Sequence, residues 1–134
     1  MIKIDLASFL PIYEQIKKEI KRKITLEVLK PHEPLPSIRD LASELIINPN
    51  TVARAYRELE REGFIYTRKG KGCYVSDNSA SLIKKERDRT LNQILDQVIE
   101  EATKFNLREE EIKRLFEQRL RLVMDEKKKG GRDE

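Results

Sequence analysis

The stretch Leu35–Val75, LPSIRDLASELIINPNTVARAYRELEREGFIYTRKGKGCYV, carries three local signals in a fixed order. The first is a short helix. Ser37 stands as its cap, with Asp40 three residues on, a capping box with Asp in place of Glu. Ile38, Leu41, Ala42 and Leu45 follow the i, i+3, i+4, i+7 pattern, so this helix ends near Leu45. A tight turn at Ile46-Ile47 then leads to Asn48-Pro49, a good N-cap followed by the residue favoured at the first helical position. The helix that starts there runs to about Glu62, where Gly63 stops it. Two short helices joined by a tight turn form a helix-turn-helix.

The second of these helices has two unlike faces. At about 100° per residue, Asn50, Arg54, Arg57 and Arg61 fall within an arc of about 60°. Val52, Ala55, Tyr56 and Leu59 lie opposite, and the small Thr51 and Ala53 flank the polar face. Asn and Arg are the side chains that bond bidentately to adenine and guanine edges in the major groove. An exposed helix with ordinary salt bridges to Glu58, Glu60 and Glu62 accounts for the same residues, so the face alone leaves both readings open.

The third signal follows directly. Phe64–Arg68 and Cys73–Ser76 read as two strands, with Lys69-Gly70-Lys71-Gly72 as the turn between them. A basic hairpin after a helix-turn-helix is a wing, and Arg68, Lys69 and Lys71 are placed to meet phosphates or a minor groove. The Gly-Lys-Gly run lacks the rest of a phosphate-cradling nucleotide loop. Cys73 reads as a small, buried strand residue.

Upstream, Pro11 opens a helix that runs to about Leu26, with Ile12, Ile16, Ile20 and Ile24 as an apolar stripe. Lys17, Lys18, Lys21 and Arg22 are expected on its solvated face. Pro31, Pro34 and Pro36 then exclude a continuing helix. Downstream, Asp77–Ser81 reads as a polar linker. Beyond it, Leu91, Ile94, Leu95, Val98, Ile99, Ala102 and Phe105 form the strongest helical period in the chain, and Asn106 breaks it. A last helix carries Ile112, Leu115, Phe116, Leu120 and Val123. The terminal KKKGGRDE is expected to fray.

Composition narrows the function. The chain has 134 residues, 39% of them charged and 38% hydrophobic, with one His and one Cys. Mean hydropathy is −0.67. No apolar run approaches the roughly 20 residues of a membrane helix, and the N-terminal MIKIDLASFLPIYEQ lacks a secretory apolar core. A soluble, cytoplasmic protein without membrane association is the expectation. Cys73 alone excludes an internal disulfide, and a Cys/His zinc site needs about four ligands. No catalytic constellation, metal site or cofactor is expected, so the protein reads as no enzyme. His32, alone in sequence, needs no role beyond a turn. The +4 net charge lies wholly in residues 1–76, with 14 Lys+Arg against 10 Asp+Glu, while residues 77–134 carry 14 of each. That asymmetry points the front half at a polyanion.

With these residues laid out, Pro11–Val75 resembles the winged helix-turn-helix domain of the GntR family of bacterial transcription regulators. LPSIRDLASEL, NPNTVARAYRELEREGFIY and RKGKGCYV carry the resemblance, in that order and spacing. The short back end is similar to the YtrA-type branch, whose members often control transporter operons. The resemblance implies that Arg39 holds the DNA backbone, with Ser37 at the start of the same helix. It places Asn48, Asn50, Thr51 and Arg54 at the start of a recognition helix. It sets Gly70 at a wing tip that enters the minor groove, with Lys69 and Lys71 beside it. Arg57 rests on the face argument and Arg68 on the hairpin. The chain departs from the family at Glu27 and His32, where glycines are usual. Either the turns differ there or these residues tolerate positive φ, as His does better than most.

The resulting expectation is a mainly α fold with a small β-hairpin. It comprises a winged helix-turn-helix over 1–76, a linker at 77–81, a helical dimerisation segment over 82–128 and a disordered tail at 129–134. Two helices bury too little to stand alone, so their stripe packs on a second copy or folds back within a monomer. A homodimer is favoured, with Leu91, Ile94, Leu95, Val98, Ile99, Ala102, Ile112, Leu115 and Phe116 at its interface. The function expected is sequence-specific binding of double-stranded DNA at an inverted repeat, as a repressor. The alternative is a winged-helix module that binds a protein instead. An unidentified small-molecule effector is left open, with the helical interface or its junction with the wing domain as its place.

Overall fold

The computed structural model describes residues 2–130, and the final residues of the expected disordered tail lie outside them. Five helices and one hairpin follow in the order α1 (Ile12–Thr25), α2 (Ile38–Leu45), α3 (Pro49–Arg61), β1 (Ile65–Arg68), β2 (Gly72–Val75), α4 (Ser79–Lys104) and α5 (Glu109–Gly130). The chain divides into two compact units between Arg87 and Asp88, inside α4.

The first unit is built around α3. Ile16, Ile20 and Ile24 of α1, Leu41 and Ala42 of α2, and Val52, Ala55, Tyr56 and Leu59 of α3 close one core with Phe64, Ile65 and Val75 of the hairpin. Every residue of the apolar α3 face is buried. The strands pair antiparallel, Ile65 opposite Val75 and Arg68 opposite Gly72. The Pro-rich connector runs beside β2. His32 donates its amide to the Val75 carbonyl at 2.8 Å, Val75 to Glu33 at 2.9 Å and Leu35 to Cys73 at 2.8 Å. Prolines at 31, 34 and 36 leave this edge with few donors, which suits an outer strand.

Three helices of this unit end on a residue in the left-handed region. Glu27 (φ 60), Ile46 (φ 56) and Gly63 (φ 89) follow α1, α2 and α3. Each is flanked by the paired bonds of a Schellman end, such as Ile46 N–H to the Ser43 carbonyl and Ile47 N–H to Ala42. His32 also sits at φ 68. The turns that glycine usually serves are therefore formed here by Glu27 and His32 themselves.

In the first unit, two sequence expectations are corrected. Asp77 and Asn78 make a two-residue turn, and Ser79 already opens α4, so the linker expected over 77–81 is mostly helix. Small polar residues signal a loop, but Ser79 is fully buried and its amide bonds the Ser76 carbonyl at 3.3 Å. Leu82 and Ile83 then pack on the core, which rewards helix there. Lys17 is the second correction. It is buried rather than solvated, for a reason found at α3 below.

The second unit holds the rest of α4 and α5. Asn106 (φ 60) breaks the helices as expected, with Leu107 N–H returning to the Ala102 carbonyl at 3.1 Å. Among the described residues of this unit only Ala102 is buried. Lys129 and Gly130, expected in the tail, are the last residues of α5.

Candidate nucleic-acid interface

The exposed face of α3 is set by what its other face does. With Val52, Ala55 and Leu59 fully buried, Asn50, Arg54, Arg57 and Arg61 must point outward, and all four are exposed. Tyr56 fixes the rotation further. Its hydroxyl donates to the Pro36 carbonyl at 2.8 Å, tying α3 to the connector. Burial, helped by nearby Cys73, pushes the phenol's pKa far up, so it stays a donor.

The start of α3 is capped by Asn48, whose side-chain oxygen accepts the Asn50 amide at 2.8 Å. Asn48 thus spends its carbonyl on the helix and keeps its NH2 for an acceptor. Ser37 caps α2 likewise, accepting the Asp40 amide at 3.0 Å. Arg39, Asn48, Ile46 and Pro49 line one shallow groove at the helix-turn-helix corner. Ile46, strained at φ 56, leaves 90% of its surface exposed there.

Arg54 is held in place. Its Nε donates to Glu58 Oε2 at 3.1 Å, and its guanidinium lies 3.7 Å over the Tyr13 ring. The other oxygen of Glu58 accepts Lys17 Nζ at 3.0 Å, and Lys17 also donates to Glu62 at 2.6 Å. These two carboxylates are why Lys17 is buried. Burial alone would lower the ammonium's pKa, but the bonds to Glu62 and Glu58 outweigh it and the pKa is raised. The bonds from Lys17 and Arg54 in turn lower that of Glu58. Lys21 joins Glu62 at 3.5 Å to Glu86 at 2.9 Å.

The wing turn is closed by the Lys71 amide on the Arg68 carbonyl at 2.9 Å. Gly70 sits at φ 77, as the third position of a type II turn requires. Lys69, Gly70 and Lys71 are exposed, and Arg68 approaches the Tyr74 ring at 5.9 Å. Arg39, Arg57, Arg61, Lys69 and Lys71 make no ion pair among the described residues. Cys73 is half-buried. Among the described residues no group of three or more metal-capable side chains comes together.

Residues 12–75 match the family of bacterial regulatory proteins named gntR. The chain is 44% identical over 102 residues to the HTH-type transcriptional repressor YtrA of Bacillus subtilis, covering 76% of this chain and 78% of that protein. This chain belongs to the GntR family. It is a transcription regulator, not an enzyme. A transcriptional regulator from Oenococcus oeni superposes on this GntR-family chain with a TM-score of 0.72, at 37% identity, over 90% of this chain and 99% of that one. AraR(DBD) in complex with operator ORX1 matches at a TM-score of 0.50 and 26% identity, over 55% of this chain and 92% of that one.

Sequence reasoning found the faces of this GntR-family domain but missed some of its neighbours. Glu58 lies four residues after Arg54, so their pairing was available from helical spacing. Tyr13 was not, since only the packing of α1 on α3 brings it there. His32 gained partners the same way: Nδ1 lies 2.9 Å from Tyr66 Oη and Nε2 2.8 Å from Asp77 Oδ1. No helix among the described residues is long and apolar enough to cross a membrane.

In the second unit, Leu91, Ile94, Leu95, Val98, Ile99, Leu115 and Phe116 are each 40–51% exposed. Ile112 is half-buried and Ala102 is buried within the chain itself. Leu95, Val98, Ile99, Ile112, Leu115 and Phe116 line an open apolar groove of about 520 Å³.

Proposed function

We propose that this protein is a repressor that binds an inverted-repeat DNA operator as a homodimer. The observation that carries the reading is the outward face of α3, where Asn50, Arg54 and Arg57 stand exposed on a helix whose rotation the core and Tyr56 fix. Asn50 and Arg54 read base edges, with Arg57 beside them. Ser37, Arg39, Asn48 and Thr51 hold adjacent backbone, and Arg68, Lys69, Gly70 and Lys71 meet the flank. Lys and Arg release counterions, so binding weakens steeply with salt.

The half-exposed apolar residues of α4 and α5 support the dimer. Water-exposed Leu, Ile and Phe in one groove gain about 25 cal/mol for each Å² covered, and a second copy covers them symmetrically. Two-fold protein symmetry then calls for an inverted repeat. Repression follows the name of the Bacillus subtilis relative.

The test is selection of random and genomic duplexes by the purified protein at physiological salt, followed by sequencing. One recovered inverted repeat, with a reporter downstream of it silenced by the protein, is the expected result. Recovery of no motif overturns the reading in favour of a winged-helix module for a protein partner.

A further inference from the structure

Arg54 differs from the other arginines of α3 in being held by two contacts. Its guanidinium is stacked on Tyr13 and bonded through Nε to Glu58, whereas Arg57 and Arg61 make no ion pair or ring contact among the described residues. Glu58 is itself restrained. It gives one oxygen to Arg54 and the other to buried Lys17, which is anchored again on Glu62. Turning Glu58 away from Arg54 would disturb an ion pair whose Lys17 side chain is only 8% exposed. A guanidinium held by its face and its Nε keeps its terminal edge. Here both terminal nitrogens lack a hydrogen bond among the described residues, and the side chain is 53% exposed. That edge is the one a guanine or phosphate receives bidentately. An unrestrained arginine loses rotamer freedom on being fixed, and ordering it beforehand removes part of that cost from binding.

We infer that Tyr13 and Glu58 are positioning residues that pre-order Arg54 for nucleic acid, with Lys17 locking Glu58. The inference rests on Arg54 reading DNA, as proposed above. It adds two residues outside the exposed face of α3, one of them on another helix.

The experiment uses the full chain and two duplexes, one recovered by selection and one random, at a single salt concentration. Tyr13→Leu weakens the selected duplex about fivefold and leaves the random one unchanged. Tyr13→Phe keeps the ring and binds as the parent does. Added to Arg54→Ala, Tyr13→Leu has no further effect. In the free protein, the Arg54 Nε–H resonance exchanges slowly with water, and Tyr13→Leu and Glu58→Gln each speed it. A Tyr13→Leu protein that binds both duplexes normally overturns the inference, as does tighter binding by Glu58→Gln, which would mean the carboxylate withholds Arg54. Arg54→Ala binding the selected duplex normally would remove the DNA-reading role itself. The Nε–H signal would still report whether the arginine is ordered, so the two failures are told apart.

Discussion

Lys17 and Glu58, 41 positions apart, close a 3.0 Å ion pair between α1 and α3. The pair joins the scaffold helix to the helix whose outer face carries the candidate readers. Its two members titrate at opposite ends of the pH scale, and each end has a consequence.

Lys17 has a pKa raised from 10.5, so its contribution is complete below that value and is lost as pH rises through the raised one. Glu58 has a pKa lowered from 4.5, so its contribution is present above 4.5 and is lost as pH falls through the lowered one. Lys17→Met lowers stability at neutral pH by about 1–3 kcal/mol and flattens both losses. Urea midpoints from about pH 3 to about pH 11 measure this. Parallel profiles for the two proteins would show that the pair does not link pH to folding.

Glu27 occupies the left-handed region at φ 60 with an exposed side chain. Glycine removes a strain of about 1–2 kcal/mol there and adds about 0.5–1 kcal/mol of chain entropy to lose. Glu27→Gly therefore stabilises by about 0.5–1 kcal/mol, seen as a higher urea midpoint. His32→Gly relieves the same strain at φ 68 but gives up the bonds to Tyr66 and Asp77, so its gain is smaller or absent.

On the proposed reading, the α3 face and the wing divide the work of binding. Arg54→Ala costs about 1–3 kcal/mol on the selected duplex and little on random DNA. Lys71→Ala weakens both alike and reduces the slope of log affinity against log salt by about 1. Fluorescence anisotropy titrations at four salt concentrations separate the two. Equal losses on both duplexes for both variants would remove the distinction.

Ile99 is 47% exposed in the apolar groove of the second unit. Ile99→Glu places a charge where a second copy would seat, so sedimentation shifts from dimer to monomer at micromolar protein. Affinity for the full inverted repeat falls, while affinity for a half-site is retained. A parent protein already monomeric by sedimentation would end the dimer proposal.

Most of the first unit was legible from residue spacing. Ser37 and Asn48 cap the helices they were expected to cap, and Gly63 ends α3. Caps and apolar periods are local, and sequence displays local chemistry directly. Burial of Lys17 is hidden in the sequence because an i, i+4 stripe drifts by about 40° a step. By Ile24 the stripe has swung to within about 20° of Lys17, and only the carboxylates of α3 make that position tolerable for an ammonium. Ser79 reads as linker because its neighbours are small and polar, while its helix is favoured by Leu82 and Ile83 on a core formed by distant residues. For the candidate site, the outward residues of α3 could be read in advance. The stacking of Tyr13 on Arg54 could not, since it depends on how two helices cross.

The single hydrogen bond from Tyr56 to Pro36 also constrains how such a protein can change its target over time. A helix pinned by one phenol and three fully buried aliphatic neighbours cannot be turned by a mutation on its outer side. If the outward face reads the operator, as proposed, new preferences arise by exchanging its side chains one at a time on a fixed frame. Intermediates along that route keep their fold, so the lineage can sample many readers without passing through unfolded ancestors.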